Sequence, residues 1–159
     1  MEQGLFGNYY EDFEPGRVFK HYPGRTVTQT DNIWFTLLTM NTHPLHFNTD
    51  YCAKTEFGRP LVNSTLTLAI ITGMSVRDIS QNAIANLGFD EVRIPAPTFE
   101  GDTLYAETEV LARRESKSRP TCGIVTVLTT GKNQNNEIIM TFKRNILVKK
   151  RDHDREQQR

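Results

Sequence analysis

Two stretches hold the residues whose types and spacing could do chemistry: Asn41-Thr42-His43-Pro44-Leu45-His46-Phe47-Asn48, then Phe57-Gly58-Arg59-Pro60-Leu61-Val62-Asn63-Ser64. The first supplies imidazoles, which gain and lose protons near neutral pH. The second ends in Asn63-Ser64, a helix-start signal ahead of an apolar run. Helix starts present unpaired N–H groups and a positive dipole end, which suit a carbonyl oxygen that gains negative charge. His46 is the acid/base candidate. His43 is a second acid/base, a polariser of His46 or a helix-end cation. Asn41 either orients a water or substrate hydroxyl or caps a helix. It cannot replace a carboxylate as a proton carrier, because an amide does not titrate in this range.

Zinc fits poorly. His43 and His46 have HxxH spacing, Cys52 follows, and no second Cys/His pair completes a site. Cys52 reads as a small buried hydrophobe rather than a nucleophile, since no base is placed beside it by sequence. The two cysteines, Cys52 and Cys122, are too few for a disulfide framework.

Several elements must position these groups. An irregular arm is expected over 1–16, one domain over 17–149 and a polar tail over 150–159. A short strand at 17–21 should close at Pro23-Gly24. Thr28 to Asp31 offer caps for a helix carrying Ile33, Trp34, Leu37, Leu38 and Met40, and Trp34 and Phe35 read as core. Pro44 stops that helix at or before His43. Thr49 or Asp50 caps a short helix to about Glu56. Asn63 or Ser64 caps a longer one from Thr65 to about Ile79. Its apolar residues lie on nearly every side, which predicts burial all round.

Beyond residue 83 the period falls to two. Strands are expected at 83–94, at 102–111 with Leu104, Ala106, Thr108 and Val110 on one face, at 122–130, and from Ile138 to Lys149. Lys132 to Asn136 form a turn. Consecutive strands with turn links predict an antiparallel sheet wrapped around the helix, an α+β class. One small sheet leaves surface uncovered, so a homodimer or dimer-based oligomer is expected.

The chain has 159 residues, 19 basic and 19 acidic, with net charge +0. That balance argues against bulk nucleic-acid or anionic-membrane binding. Met1 to Leu5 lack the charge and apolar run of a signal peptide, and no apolar run is long enough for a bilayer span. A cytoplasmic protein is expected.

These motifs resemble the MaoC-like dehydratases, the (R)-specific enoyl-CoA hydratases of hot-dog fold. The hydratase motif S/T-G-D-x-N-P-hydrophobic-H is matched by Thr39-Met40-Asn41-Thr42-His43-Pro44-Leu45-His46. The later F-G-x-x-hydrophobic-x-H-G stretch is matched by Phe57 through Ser64, and Phe99-Glu100-Gly101-Asp102-Thr103-Leu104 looks like the family's strand entry. Gly24-Arg25-Thr26-Val27-Thr28, the run Trp34 to Asn41 and the run Pro60 to Thr67 point to the mesaconyl-CoA hydratase or β-methylmalyl-CoA dehydratase subgroup. Two departures stand out. The family's Asp falls on Asn41, and its Asn falls on His43.

The resemblance implies addition or removal of water across the C2–C3 bond of an enoyl thioester, including branched or dicarboxylic C4–C5 acyl groups. It assigns catalysis to Asn41, His46 and the Ser64 amide, with His43 beside them. Arg25, Arg59, Asn63, Thr72 and Gly73 are the candidate substrate contacts. No metal and no cofactor is implied beyond the CoA of the acyl-CoA substrate. A thioesterase on the same fold, using Asn41 to hold water, and a non-catalytic acyl-CoA binder are the alternatives.

Overall fold

The computed structural model describes residues 7–152. Residues 1–6, with the start of the expected arm, and residues 153–159, with most of the polar tail, lie outside the described residues. Five antiparallel strands form one sheet in the order β1-β3-β4-β5-β2. They are β1 (Val18–Thr26), β2 (Ala83–Arg93), β3 (Thr103–Glu115), β4 (Cys122–Lys132) and β5 (Ile138–Lys149). Helices α1 (Gln29–Leu38), α2 (Thr49–Cys52) and α3 (Ser64–Ser75) all fall between β1 and β2 in sequence.

Alternation builds the sheet. Leu104, Ala106, Thr108 and Val110 are buried on β3, while Tyr105 and Glu109 point outward. On β5, Met140, Phe142, Arg144, Ile146 and Val148 face inward. Two apolar clusters result. One lies under α3 and joins Leu66 and Ile71 to Leu104, Met140 and Phe142. The other joins Tyr10, Phe13 and Phe19 to Val110, Val125, Val127 and Ile146, so the segment before β1 is packed. Gly131 lets Ile71 sit against the sheet, since a Cβ there would lie 2.2 Å from Ile71 Cδ1.

Strand β1 does not close at Pro23-Gly24. It runs on to Thr26 past a register shift between His21 and Arg25. Gly24 there lies against the Tyr105 ring, where a Cβ would clash at 2.5 Å. In α1, Thr28 caps the start and forms a reciprocal box with Asp31. Trp34 does not enter the core. It is 66% exposed, with Leu37 and Leu38 also exposed on α1 and Met40 exposed just beyond the helix. Asn32 and Thr36 occupy the inner face instead.

Asn48, not Thr49 or Asp50, caps α2, which ends at Cys52. Asn63 caps α3, and a single π-type turn, Val76–Ser80, extends it. The sheet covers one side of α3, through Leu66, Thr67, Ile71 and Ser75. Ala69 and Gly73 on the other side are exposed, so burial all round does not hold within one chain. One five-stranded sheet has only one concave face to offer.

The π-type turn brings Asp78 to His21, whose side chain is buried. His21 Nδ1 lies 2.7 Å from Asp78 Oδ2, and Nε2 lies 2.7 Å from Thr108 Oγ1. This network pins the end of the helix to β1 and β3. No helix among the described residues is long and apolar enough to cross a membrane.

Candidate active site

The site is built by the way α1 ends. The Met40 N–H bonds to Leu37 O, and the Asn41 N–H bonds to Thr36 O. Met40 takes the left-handed conformation, φ +56°, usually given to glycine at this position. Thr39 is the C-cap, so Asn41 lies two residues beyond it and is not the cap itself. Asn41 Oδ1 accepts the His43 N–H at 3.0 Å, which makes it a turn-forming residue here.

The chain then enters a single 3₁₀ turn, Pro44–His46. His43 Nδ1 accepts the Leu45 N–H at 3.1 Å, so that nitrogen carries no proton. His46 Nδ1 lies 3.0 Å from Leu61 O, a pure acceptor, so that nitrogen is protonated and donates. The neutral rings therefore hold opposite tautomers, with centroids 6.1 Å apart. His46 keeps Nε2 as its free, proton-accepting position. His43 is exposed, in edge contact with Tyr51.

Opposite His46 stands the start of α3. Asn63 Oδ1 accepts the Thr65 N–H at 3.0 Å and the Thr65 hydroxyl at 2.6 Å. A cavity of about 320 Å³ brings the two parts together. His46, Phe57, Leu61, Val62, Ser64 and Thr67 line it, with Ile94 to Thr98 from the end of β2 closing one wall. Thus His46 and Ser64 share one space, as the sequence predicts. Asn41 and His43 are not among its lining residues.

The other candidates separate. Arg59 is exposed and stacks on Phe99, its guanidinium carbon 3.9 Å from the ring centroid. Phe99 pairs across a β-bridge with Leu61, which lines the cavity, whereas Arg59 does not line it. Arg25 is engaged by Asp31 at 2.6 Å. Thr72 and Gly73 lie two turns down α3, roughly 12 Å from Ser64 at 1.5 Å per residue, and do not line the cavity.

Cys52 is fully buried and donates to Leu45 O at 3.2 Å. Burial, and then the nearby Glu100 carboxylate, push its thiol pKa up, which leaves it unreactive. Among the described residues no group of three or more His, Cys, Asp or Glu side chains is placed to hold a metal ion.

Sequence reasoning missed Asn32. It is fully buried in α1. Its Nδ2 donates to His46 O and Leu61 O, each at 2.9 Å, and lies 3.2 Å from Glu100 Oε1. Its Oδ1 accepts the Asn63 N–H at 2.9 Å. The one available signal was an Asn within the helical run, where its propensity is poor.

A family model described as mesaconyl-CoA hydratase matches residues 2–157. The chain belongs to the mesaconyl-CoA hydratase family. It is 36% identical over 146 residues to a β-methylmalyl-CoA dehydratase of Chloroflexus aurantiacus, covering 92% of this chain and 41% of that protein. A solved MaoC domain protein dehydratase from the same organism superposes with TM-score 0.88 at 34% identity, over 95% of this chain and 42% of that one. A Mycobacterium tuberculosis protein described as a double hot-dog fold gives 0.83 at 26% identity, over 91% of this chain and 44% of that one. The fold is therefore the hot-dog fold, and the chain spans about two fifths of the length of these family relatives.

Proposed function

We propose that this chain is a hot-dog unit of an acyl-CoA hydratase/dehydratase acting on a short branched or dicarboxylic enoyl thioester. One observation carries the reading. His46, its Nδ1 committed to Leu61 O, shares a cavity with the start of α3 at Ser64.

In hydration, His46 Nε2 takes a proton from the water that attacks C3. The thioester oxygen gains negative charge and is held by the Ser64 N–H, one of the helix-start donors without an intrahelical acceptor. The protonated His46 then returns that proton to C2, which completes the addition, and dehydration runs the same steps backward. CoA enters as part of the substrate, and the chemistry needs only proton transfer and an oxyanion donor. Arg59, exposed and stacked on Phe99, is the proposed contact for the anionic part of the substrate, since its planar fork suits phosphate or carboxylate. Asn41 serves by shaping the turn that delivers His46.

The working unit is proposed to pair two hot-dog units. Strand β2 is a sheet edge of eleven residues with Ile84, Leu87, Phe89 and Val92 exposed. Long apolar edges are protected in native proteins by pairing or covering. The relatives' chains are more than twice as long, and one related structure is described as a double hot-dog. A second copy of this chain, or a second hot-dog chain, supplies that half.

The test is purified protein with crotonyl-CoA and mesaconyl-CoA, read by mass spectrometry. Gain of one water, lost in His46→Ala, is the expected result. Free CoA as product means a thioesterase. Binding without turnover means a non-catalytic acyl-CoA binder.

A further inference from the structure

We infer that Asn32 is a positioning residue that sets the acid/base imidazole and the oxyanion donor with one buried amide. The inference rests on the hydratase reading above. The two reacting parts come from separate loops, and their relative placement must hold to a fraction of an ångström. Misplacement by about 1 Å can cost roughly a hundredfold in rate.

Asn32 is where the two loops meet. Its Nδ2 donates to the carbonyl of His46 itself and to Leu61 O, each at 2.9 Å. Leu61 O is also the acceptor that fixes the His46 ring through Nδ1 at 3.0 Å. Both lone pairs of that carbonyl are therefore used, one by the positioner and one by the imidazole. On the other side, Asn32 Oδ1 accepts the N–H of Asn63, the residue that caps α3 and precedes Ser64. Glu100 Oε1, 3.2 Å from Nδ2, adds a charged acceptor that fixes which end of the amide faces which way. Asn32 is fully buried and does not line the cavity. It acts through His46 and Ser64, not on substrate.

The experiment compares Asn32→Ala and Asn32→Ser with wild type and with Val127→Ala, a core variant far from the site that lowers stability alone. Expected is a fall in kcat of about a hundredfold in Asn32→Ala, with KM changed less than about threefold. Asn32→Ser, which keeps one donor, falls in between. Nitrogen-15 NMR of the His46 ring should show the Nδ1–H tautomer in wild type and a mixture in the variants. Wild-type kcat with an unchanged His46 spectrum overturns the inference, as does a kcat loss no larger than that of Val127→Ala. An Asn32 side-chain amide that exchanges freely with solvent in the wild-type protein overturns it without any variant. If wild type hydrates no thioester, the proposed function fails, while the His46 spectrum still decides the role of Asn32.

Discussion

His46 donates its Nδ1–H to the carbonyl of Leu61 at 3.0 Å, across fifteen residues of chain. That bond fixes which nitrogen can act as a base. It also ties the 3₁₀ turn to the segment that leads into α3.

Replacement of His46 should therefore remove turnover without unfolding the protein. His46→Ala is expected to lose about 10²–10⁴ in kcat, the range for general acid–base catalysis. The ring is only part-buried, so urea midpoints should move little. A variant that retains activity would show that the proton carrier lies elsewhere.

Met40→Gly should stabilise the chain. Met40 holds φ +56° at the end of α1, a conformation that costs an L-residue roughly 1–2 kcal/mol. Met40 is 87% exposed, so little packing is lost. Part of the gain is offset by the greater freedom of glycine in the unfolded chain. A net gain of about 0.5 kcal/mol or more in urea unfolding is expected, and a loss would contradict the strain argument.

Gly123→Ala should release the segment before β1. A Cβ at Gly123 would lie 2.1 Å from the Tyr10 ring, which packs in the cluster of Phe13 and Phe19. Overpacking of this kind costs about 1–3 kcal/mol. Limited proteolysis should then cut near Tyr10 and Phe13, sites protected in wild type. Unchanged protection would mean that the ring moves aside freely.

Arg144 should be dispensable for stability. It is 2% exposed on the inner face of β5. It reaches Ser75 Oγ at 3.0 Å, and its Nε has no hydrogen-bond partner. Burial lowers its pKa from the ordinary arginine value to about 10. The folded state thus disfavours the charged form. The charge lowers stability by a few kcal/mol below pH 10, an effect relieved as pH rises above about 10. Arg144→Met should leave the urea midpoint at pH 7 unchanged or higher, with the difference from wild type shrinking above pH 10. Ser75→Ala should instead destabilise by about 1–3 kcal/mol, because it removes a partner and leaves the charge. A large loss in Arg144→Met would mean that the guanidinium has a counter-charge in solution.

Local signals were readable. Thr28 with Asp31 and Asn63 with Thr65 are caps whose partners lie within three residues, so the sequence alone marks both helix starts. The alternation on β3 and β5 likewise reports the inner face directly. What failed depended on distant partners. Periodicity shows that Trp34 belongs to a helix, but not that the inner face goes to Asn32 and Thr36. Pro23-Gly24 reads as a strand end, yet β3 supplies a neighbour that carries β1 past it. The cavity joined His46 to Ser64 as expected. Asn32 stayed hidden because its four partners come from three other segments.

The strand order has a consequence for synthesis. Strand β2 leaves the ribosome long before β5, its strand neighbour among the described residues. Its apolar edge therefore waits unpaired while β3 and β4 are translated. Non-local pairing of this kind slows folding and exposes sticky edges on the way. Yield at high expression rate is thus set by how long that edge waits, and slower translation or lower temperature should favour recovery of the native protein.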